Sequence, residues 1–149
     1  MSTGKICCKT ECSEKSPAPT AFGYFYKRSA QEVEDRQPIL FTDFVGKSLK
    51  IDGVIPFSGF YNIKYKVIIL SQSQFFVGLY KNGQLISGTK YGTLSGTELV
   101  ADVIVDLSAG DVITLQNLSN STISLPELIA PYPPNGINAD LTITLISAK

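Results

Sequence analysis

The chain has no histidine, no tryptophan, and no cysteine beyond Cys12. Without imidazole there is no Ser-His-Asp or Cys-His catalysis, no His-bearing zinc site and no imidazole pH sensor. Long apolar runs are missing too. Stretches such as Val67–Leu70 fall far short of the ~20 residues a membrane-spanning helix needs, so no membrane partner is expected. Lys5 and Lys9 are not followed by an apolar segment, so the N-terminus does not read as a secretory signal. Surplus charge is also absent: 13 Lys+Arg balance 13 Asp+Glu. A phosphate-driven nucleic-acid binder needs a basic excess, so none is expected.

The 149 residues, 44% hydrophobic and 17% charged, suit one domain with one core. Residues 1–90 hold 12 basic and 7 acidic groups, and residues 91–149 hold 1 and 6. Head-to-tail stacking would use this asymmetry. Interleaving strands from the two halves would cancel it, and this is the simpler expectation.

The first twenty residues form a separate unit. Met1–Thr20 is rich in Ser, Thr, Lys, Cys and Pro, and "SPAP" (Ser16–Pro19) reads as a stiff extended linker. All three cysteines, Cys7, Cys8 and Cys12, lie in "KICCKTEC". The division expected is a connector arm over 1–20 and a folded domain over 21–149.

From Ala21 onward the pattern is β. In "FYNIKYKVII", Tyr61, Ile63, Tyr65, Val67 and Ile69 share one face, and Asn62, Lys64 and Lys66 the other. "ELVADVIVDL" sends Leu99, Ala101, Val103, Val105 and Leu107 inward, with Glu98, Asp102 and Asp106 outward. "ADLTITLIS" puts Leu141, Ile143 and Leu145 inward, against Asp140, Thr142 and Thr144. "SLKIDGVIPF" sends Leu49, Ile51, Ile55 and Phe57 one way. Asn82-Gly83 between two strands is a strong hairpin signal, and "LSAGD" (Leu107–Asp111) is a second turn. "LPELIAPYPPNG" (Leu125–Gly136), with four prolines, reads as a crossing loop. No window has a 3.6-residue apolar period, so the fold expected is an all-β sandwich or jelly roll of eight to ten strands.

Two strands are apolar on both faces. Phe76 and Tyr80 oppose Phe75, Val77 and Leu79, and Phe22, Tyr24 and Tyr26 oppose Phe25. Such strands lie between two layers or at a subunit contact, where aromatic anchors are favoured. Phe22, Tyr24, Tyr26, Phe76 and Tyr80 are the interface candidates.

Catalytic chemistry finds little to use. No carboxylate pair in a cleft is identifiable, and Asp102, Asp106 and Asp111 read as strand and turn residues rather than calcium ligands. No enzyme activity, metal or cofactor is expected.

Four stretches carry a resemblance. "GFYNIKYKV" (Gly59–Val67), "FVGLYKNGQLI" (Phe76–Ile86), "VDLSAGDVITLQN" (Val105–Asn117) and "INADLTITLI" (Ile137–Ile146) resemble, in order, motifs of tumour-necrosis-factor-like and complement-type globular heads. Their wording is most similar to the C-terminal heads of collagen-like glycoproteins on bacterial endospore exosporia. The resemblance implies a ten-strand jelly roll and a homotrimer about a three-fold axis. In place of collagen repeats this chain has "ICCKTECSEKSPAPT", a layout similar to the cysteine connectors of endospore appendage (Ena) fibre subunits. That likeness implies a self-assembling subunit of a spore-surface fibre, docking head to tail through its arm. It also implies release by mother-cell lysis, which needs no export signal. The alternative is a trimeric binding module, or a tip or adaptor protein recognising a receptor, glycan or spore-coat protein.

Cys7, Cys8 and Cys12 can pair within this protein only with one another, and three thiols cannot close as an intrachain set. A Cys7–Cys8 ring would be strained, and Cys8–Cys12 needs a tight turn. Links between chains are geometrically easier, and each typically adds about 2–4 kcal/mol. The arm thiols could equally reach cysteines of other spore-surface proteins. Zinc or an iron–sulfur cluster is the competing use and would need ligands from several chains. Ile6, the arm's only sizeable apolar residue besides Met1, either docks in a neighbouring subunit or stays in solvent.

Overall fold

A computed structural model describes residues 18–69, 74–93, 98–128 and 136–149. Cys7, Cys8, Cys12 and Ile6, with most of the arm, lie outside the described residues, as does much of the proline-rich loop.

Eleven strands form among the described residues, some only two or three residues long: β1 (Phe22–Lys27), β2 (Gln31–Val33), β3 (Asp43–Lys47), β4 (Gly59–Ile68), β5 (Phe75–Lys81), β6 (Gln84–Leu85), β7 (Tyr91–Thr93), β8 (Glu98–Leu107), β9 (Ile113–Asn117), β10 (Ile123–Leu125) and β11 (Ala139–Ala148). Five make one antiparallel sheet in the order β3-β1-β11-β4-β8. In the second sheet β5 pairs with β9 along one edge and with β7 and β6 along the other. β2 pairs with β10 alongside. The non-sequential order is that of a jelly roll, and the all-β sandwich read from the sequence is borne out.

Two-residue alternation places the core between the sheets. Tyr61, Ile63, Tyr65, Val67 and Ile69 are all buried, as are Leu99, Ala101, Val105 and Leu107 from β8. Phe75, Val77, Leu79, Ile113 and Leu115 face them from the second sheet. Burying each large apolar side chain contributes about 1.5–3 kcal/mol. One polar tie crosses the layers: the buried Tyr65 hydroxyl donates to Thr89 C=O at 2.8 Å. Asn117, fully buried, donates from Nδ2 to Val33 C=O (2.9 Å) and Ser121 C=O (2.7 Å), fastening β9 to β2.

Both turns form where the sequence places them. Asn82 (φ 53°) and Gly83 (φ 83°) occupy the left-handed region, the conformation of a two-residue hairpin of type I′. The two halves of the chain interleave, and the charge asymmetry cancels locally. Lys66 of β4 lies 3.8 Å from Glu98 of β8 and 3.7 Å from Asp140 of β11.

"SLKIDGVIPF" departs from the expected strand. Leu49 and Ile55 are buried, but Ile51 is 53% exposed. A turn at Ile51–Asp52 breaks the alternation, and Gly53 N–H donates to Lys50 C=O at 3.0 Å. Gly53 sits at φ 75° against Ile113 C=O, a place where a Cβ would lie 2.8 Å from that oxygen. The segment therefore meets the start of β9 and the turn before it at Gly53–Ile55, through an isolated bridge between Val54 and Val112.

Candidate functional site

The outward face of the five-stranded sheet presents its side chains in rows fixed by the strand register. Opposed residues in an antiparallel ladder project to the same side. One row runs Asp43, Tyr26, Asp140, Lys66, Val100. The next runs Val45, Tyr24, Thr142, Lys64, Asp102, and the third Lys47, Phe22, Thr144, Asn62, Ile104.

Read down the strands, these rows make three zones. The β1–β3 flank is largely aromatic, edged by Asp43 and Lys47: Phe22 and Val45 are exposed, and the Tyr24 and Tyr26 rings stack at 5.0 Å with the Arg28 guanidinium over Tyr26 at 5.3 Å. The centre is polar. Asn62 Nδ2 donates to Asp102 Oδ1, and Lys66 lies between Glu98 and Asp140. Burial raises the Asp140 carboxyl above its usual value, with Lys66 opposing the shift. Burial also raises the neighbouring Tyr24 phenol, and Asp140 adds to the effect. The β8 flank alternates apolar and acidic: Val100 (58% exposed) and Ile104 (67%) stand among Glu98, Asp102 and Asp106, on the strand that ends the sheet.

Phe22, Tyr24 and Tyr26 thus come together on this face. Phe76 and Tyr80 do not join them, because β5 belongs to the other sheet. Phe76 lies across Gly92, beneath the Lys90 ammonium at 5.2 Å from its ring centre. Tyr80 stands opposite Leu85 and Thr114. Val45, Phe60, Val100 and Ile104 were missed. The last two occupy outward phases of the "ELVADVIVDL" alternation and were legible there, between the acidic residues that drew attention.

The acidic residues have structural partners. Asp106 meets Lys149 Nζ at 2.7 Å, and Lys149 also lies 5.3 Å above the exposed Phe60 ring. Asp111 closes its own turn by accepting from Ser108 N–H at 2.8 Å.

One polar cluster sits at an end of the sandwich. Lys27 is buried, its amine donates to Ser29 Oγ at 3.0 Å, and burial lowers its pKa. Asn138 Nδ2 donates to Ser29 and Pro126 carbonyls, while its buried Oδ1 has no partner among the described residues.

No protein-family model matches the chain, and no curated protein matches it. Solved structures do. The TNF Eiger of S. frugiperda superposes with a TM-score of 0.64 at 12% identity, covering 88% of this chain and 95% of that one. Murine APRIL gives 0.61 at 13% identity over 86% and 100%. The globular domain of zebrafish complement 1qA gives 0.57 at 15% identity over 89% and 99%. The chain therefore has the jelly-roll fold of the TNF-like and complement globular heads.

Proposed function

We propose that the protein is a non-catalytic, homo-oligomeric head whose copies meet through the outward face of the five-stranded sheet. The observation that carries this is that the two flanks of that face are unlike: an aromatic cluster on β1–β3, and on β8 two exposed aliphatic residues set among carboxylates. Val100 and Ile104 at the β8 end match neither in shape nor in aromatic content the Phe22, Tyr24, Tyr26 and Val45 cluster at the other. Two different patches on one molecule are what a heterologous contact requires, and such contacts make a ring when the rotation between copies closes. Three copies is the number implied by the resemblance to TNF-like heads.

Met1–Thr20 then acts as the connector. Cys7, Cys8 and Cys12 link heads covalently, Ile6 docks on the next head, and the heads stack into a spore-surface appendage fibre. Light scattering on the purified protein tests the head: an oligomer is expected for the native sequence and a monomer for Ile104→Arg. A native monomer, or an unaffected variant, overturns it. Electron microscopy under non-reducing conditions tests the fibre. Filaments that disappear when Cys7, Cys8 and Cys12 become Ser support it.

A second reading is favoured by the likeness to TNF-like and complement heads. In it the same oligomer is a binding module or adaptor for a receptor, glycan or spore-coat protein. Discrete heads without filaments would select it.

A further inference from the structure

Asparagine followed by glycine is among the least durable steps in a polypeptide. The glycine nitrogen attacks the asparagine side chain, and no Cβ on the glycine obstructs it. This chain has two such steps, Asn82–Gly83 and Asn135–Gly136, and the first lies among the described residues. Asn82 is exposed, so water reaches it, and the space beside Gly83 is open.

The fold holds Asn82 in a shape that cannot react. Ring closure needs Asn82 Cβ and Gly83 N on the same side of the Cα–C bond. The left-handed φ of 53° goes with a ψ of about +30 to +60°, which sets those two atoms on opposite sides. The side chain is held as well. Nδ2 donates to Asp111 Oδ1 at 2.9 Å, Oδ1 accepts from Val112 N–H at 2.8 Å, and Asn82 N–H donates to Val112 C=O at 2.9 Å. Both polar atoms of the amide, the leaving nitrogen included, are thus tied down. The anchor is itself fixed. Gly110 N–H donates to Ile55 C=O and Ile55 N–H to Asp111 C=O, both at 2.8 Å, and Ala109 N–H donates to Ser58 Oγ at 3.0 Å.

We propose that Asn82–Gly83 is a latent deamidation site, kept shut by the bond to Asp111, and that its reaction uncouples the two turns irreversibly. When the turns part, the Gly83 nitrogen gives up its proton to solvent base and bonds to Asn82 Cγ, and Nδ2 leaves as ammonia. Water then opens the cyclic imide, at Cγ to an aspartate or at the backbone carbonyl to an isoaspartate. The aspartate offers Asp111 no donor and sets two carboxylates face to face. The isoaspartate adds a backbone atom to a two-residue turn whose geometry fixes the strand register. Neither product can rebuild the clamp.

Mass spectrometry of digests, which separates Asn82 from Asn135, follows the reaction on the full chain in mildly alkaline buffer. In the folded chain Asn82 is expected to react about a hundredfold more slowly than in the chain unfolded in guanidinium chloride. Asp111→Ala should raise the folded rate about tenfold. Gly92→Ala on β7, beside the far end of β5, loosens the fold without touching the clamp. It should leave the rate unchanged, because the reaction passes through local parting of the turns and not through global unfolding. Asn82→Asp stands for one product. Its urea midpoint should fall below that of the native chain, and by less when Asp111→Ala is already present. The proposal is overturned by equal rates in the folded and unfolded chains, by a folded rate that Asp111→Ala does not change, by an equal gain in Gly92→Ala, or by an Asn82→Asp midpoint equal to the native one.

Discussion

Asn82 Nδ2 donates to Asp111 Oδ1 at 2.9 Å, and Asn82 Oδ1 accepts from Val112 N–H at 2.8 Å. The first residue of one tight turn is thereby clamped to the last residue of another, 29 positions away in sequence. The sequence presents these as two independent hairpin signals, and the structure makes them one unit at an end of the sandwich.

That clamp predicts an acid sensitivity. Partial burial pushes the Asp111 carboxyl up, but Ser108 N–H, Asn82 and Lys81 together outweigh it and hold it below the usual value. A depressed carboxylate stabilises the fold above the unfolded pKa, 3.8, and that contribution is lost as pH falls through the folded value. Asp111→Ala should cost about 1–2 kcal/mol at pH 7 and much less near pH 2, read from urea midpoints at each pH. An equal loss at both would remove the carboxylate from the account.

Tyr65 supplies the alkaline counterpart. Burial, helped by Tyr91, pushes its phenol far up, so the folded chain keeps a proton that an unfolded tyrosine surrenders near pH 10. Stability should therefore fall as pH rises above about 10, and Tyr65→Phe should shallow that decline. At pH 7 the same variant loses the bond to Thr89 and should be weaker by about 1–2 kcal/mol in chemical denaturation.

Gly92 and Phe76 should behave as a coupled pair. A Cβ on Gly92 would lie 2.2 Å from the Phe76 ring. Gly92→Ala should cost about 1–3 kcal/mol by overpacking. In Phe76→Leu, where the ring is gone, the same change should cost less, and a double-mutant cycle measures the difference. Strict additivity would mean that the ring moves aside freely.

Unlike flanks predict a mixing result. Ile104→Arg spoils one side of the proposed contact and Tyr24→Arg the other, so each variant alone should be monomeric. Mixed, they retain one sound pairing, between the β1 flank of the first and the β8 flank of the second. Light scattering should then report a heterodimer, and no larger species. If the mixture stays monomeric, the two flanks do not face each other.

Strands were legible where one face is wet and the other dry. The alternation in β4, β8 and β11 named nearly every core residue of those three strands, because burial on one side enforces a two-residue period. "SLKIDGVIPF" misled because Asp52-Gly53 is turn chemistry inside an apolar pattern, and the turn exposes Ile51. The outward residues Val100 and Ile104 were present in the β8 alternation, but only cross-strand register shows that they lie across the sheet from Tyr24 and Tyr26.

The order β3-β1-β11-β4-β8 carries a consequence for biosynthesis. β11, made after the other ten strands described, lies in the middle of the sheet between β1 and β4. Until it emerges, those two strands have no partner along the edges that β11 will fill, and two ten-residue apolar alternations, β4 and β8, wait without a completed core. Closure of the sandwich therefore waits for β11 and is governed by contacts of long sequence separation. A nascent chain stalled before Ala139 would present open strand edges to its neighbours on the same polysome, and chaperone demand should be greatest in that interval.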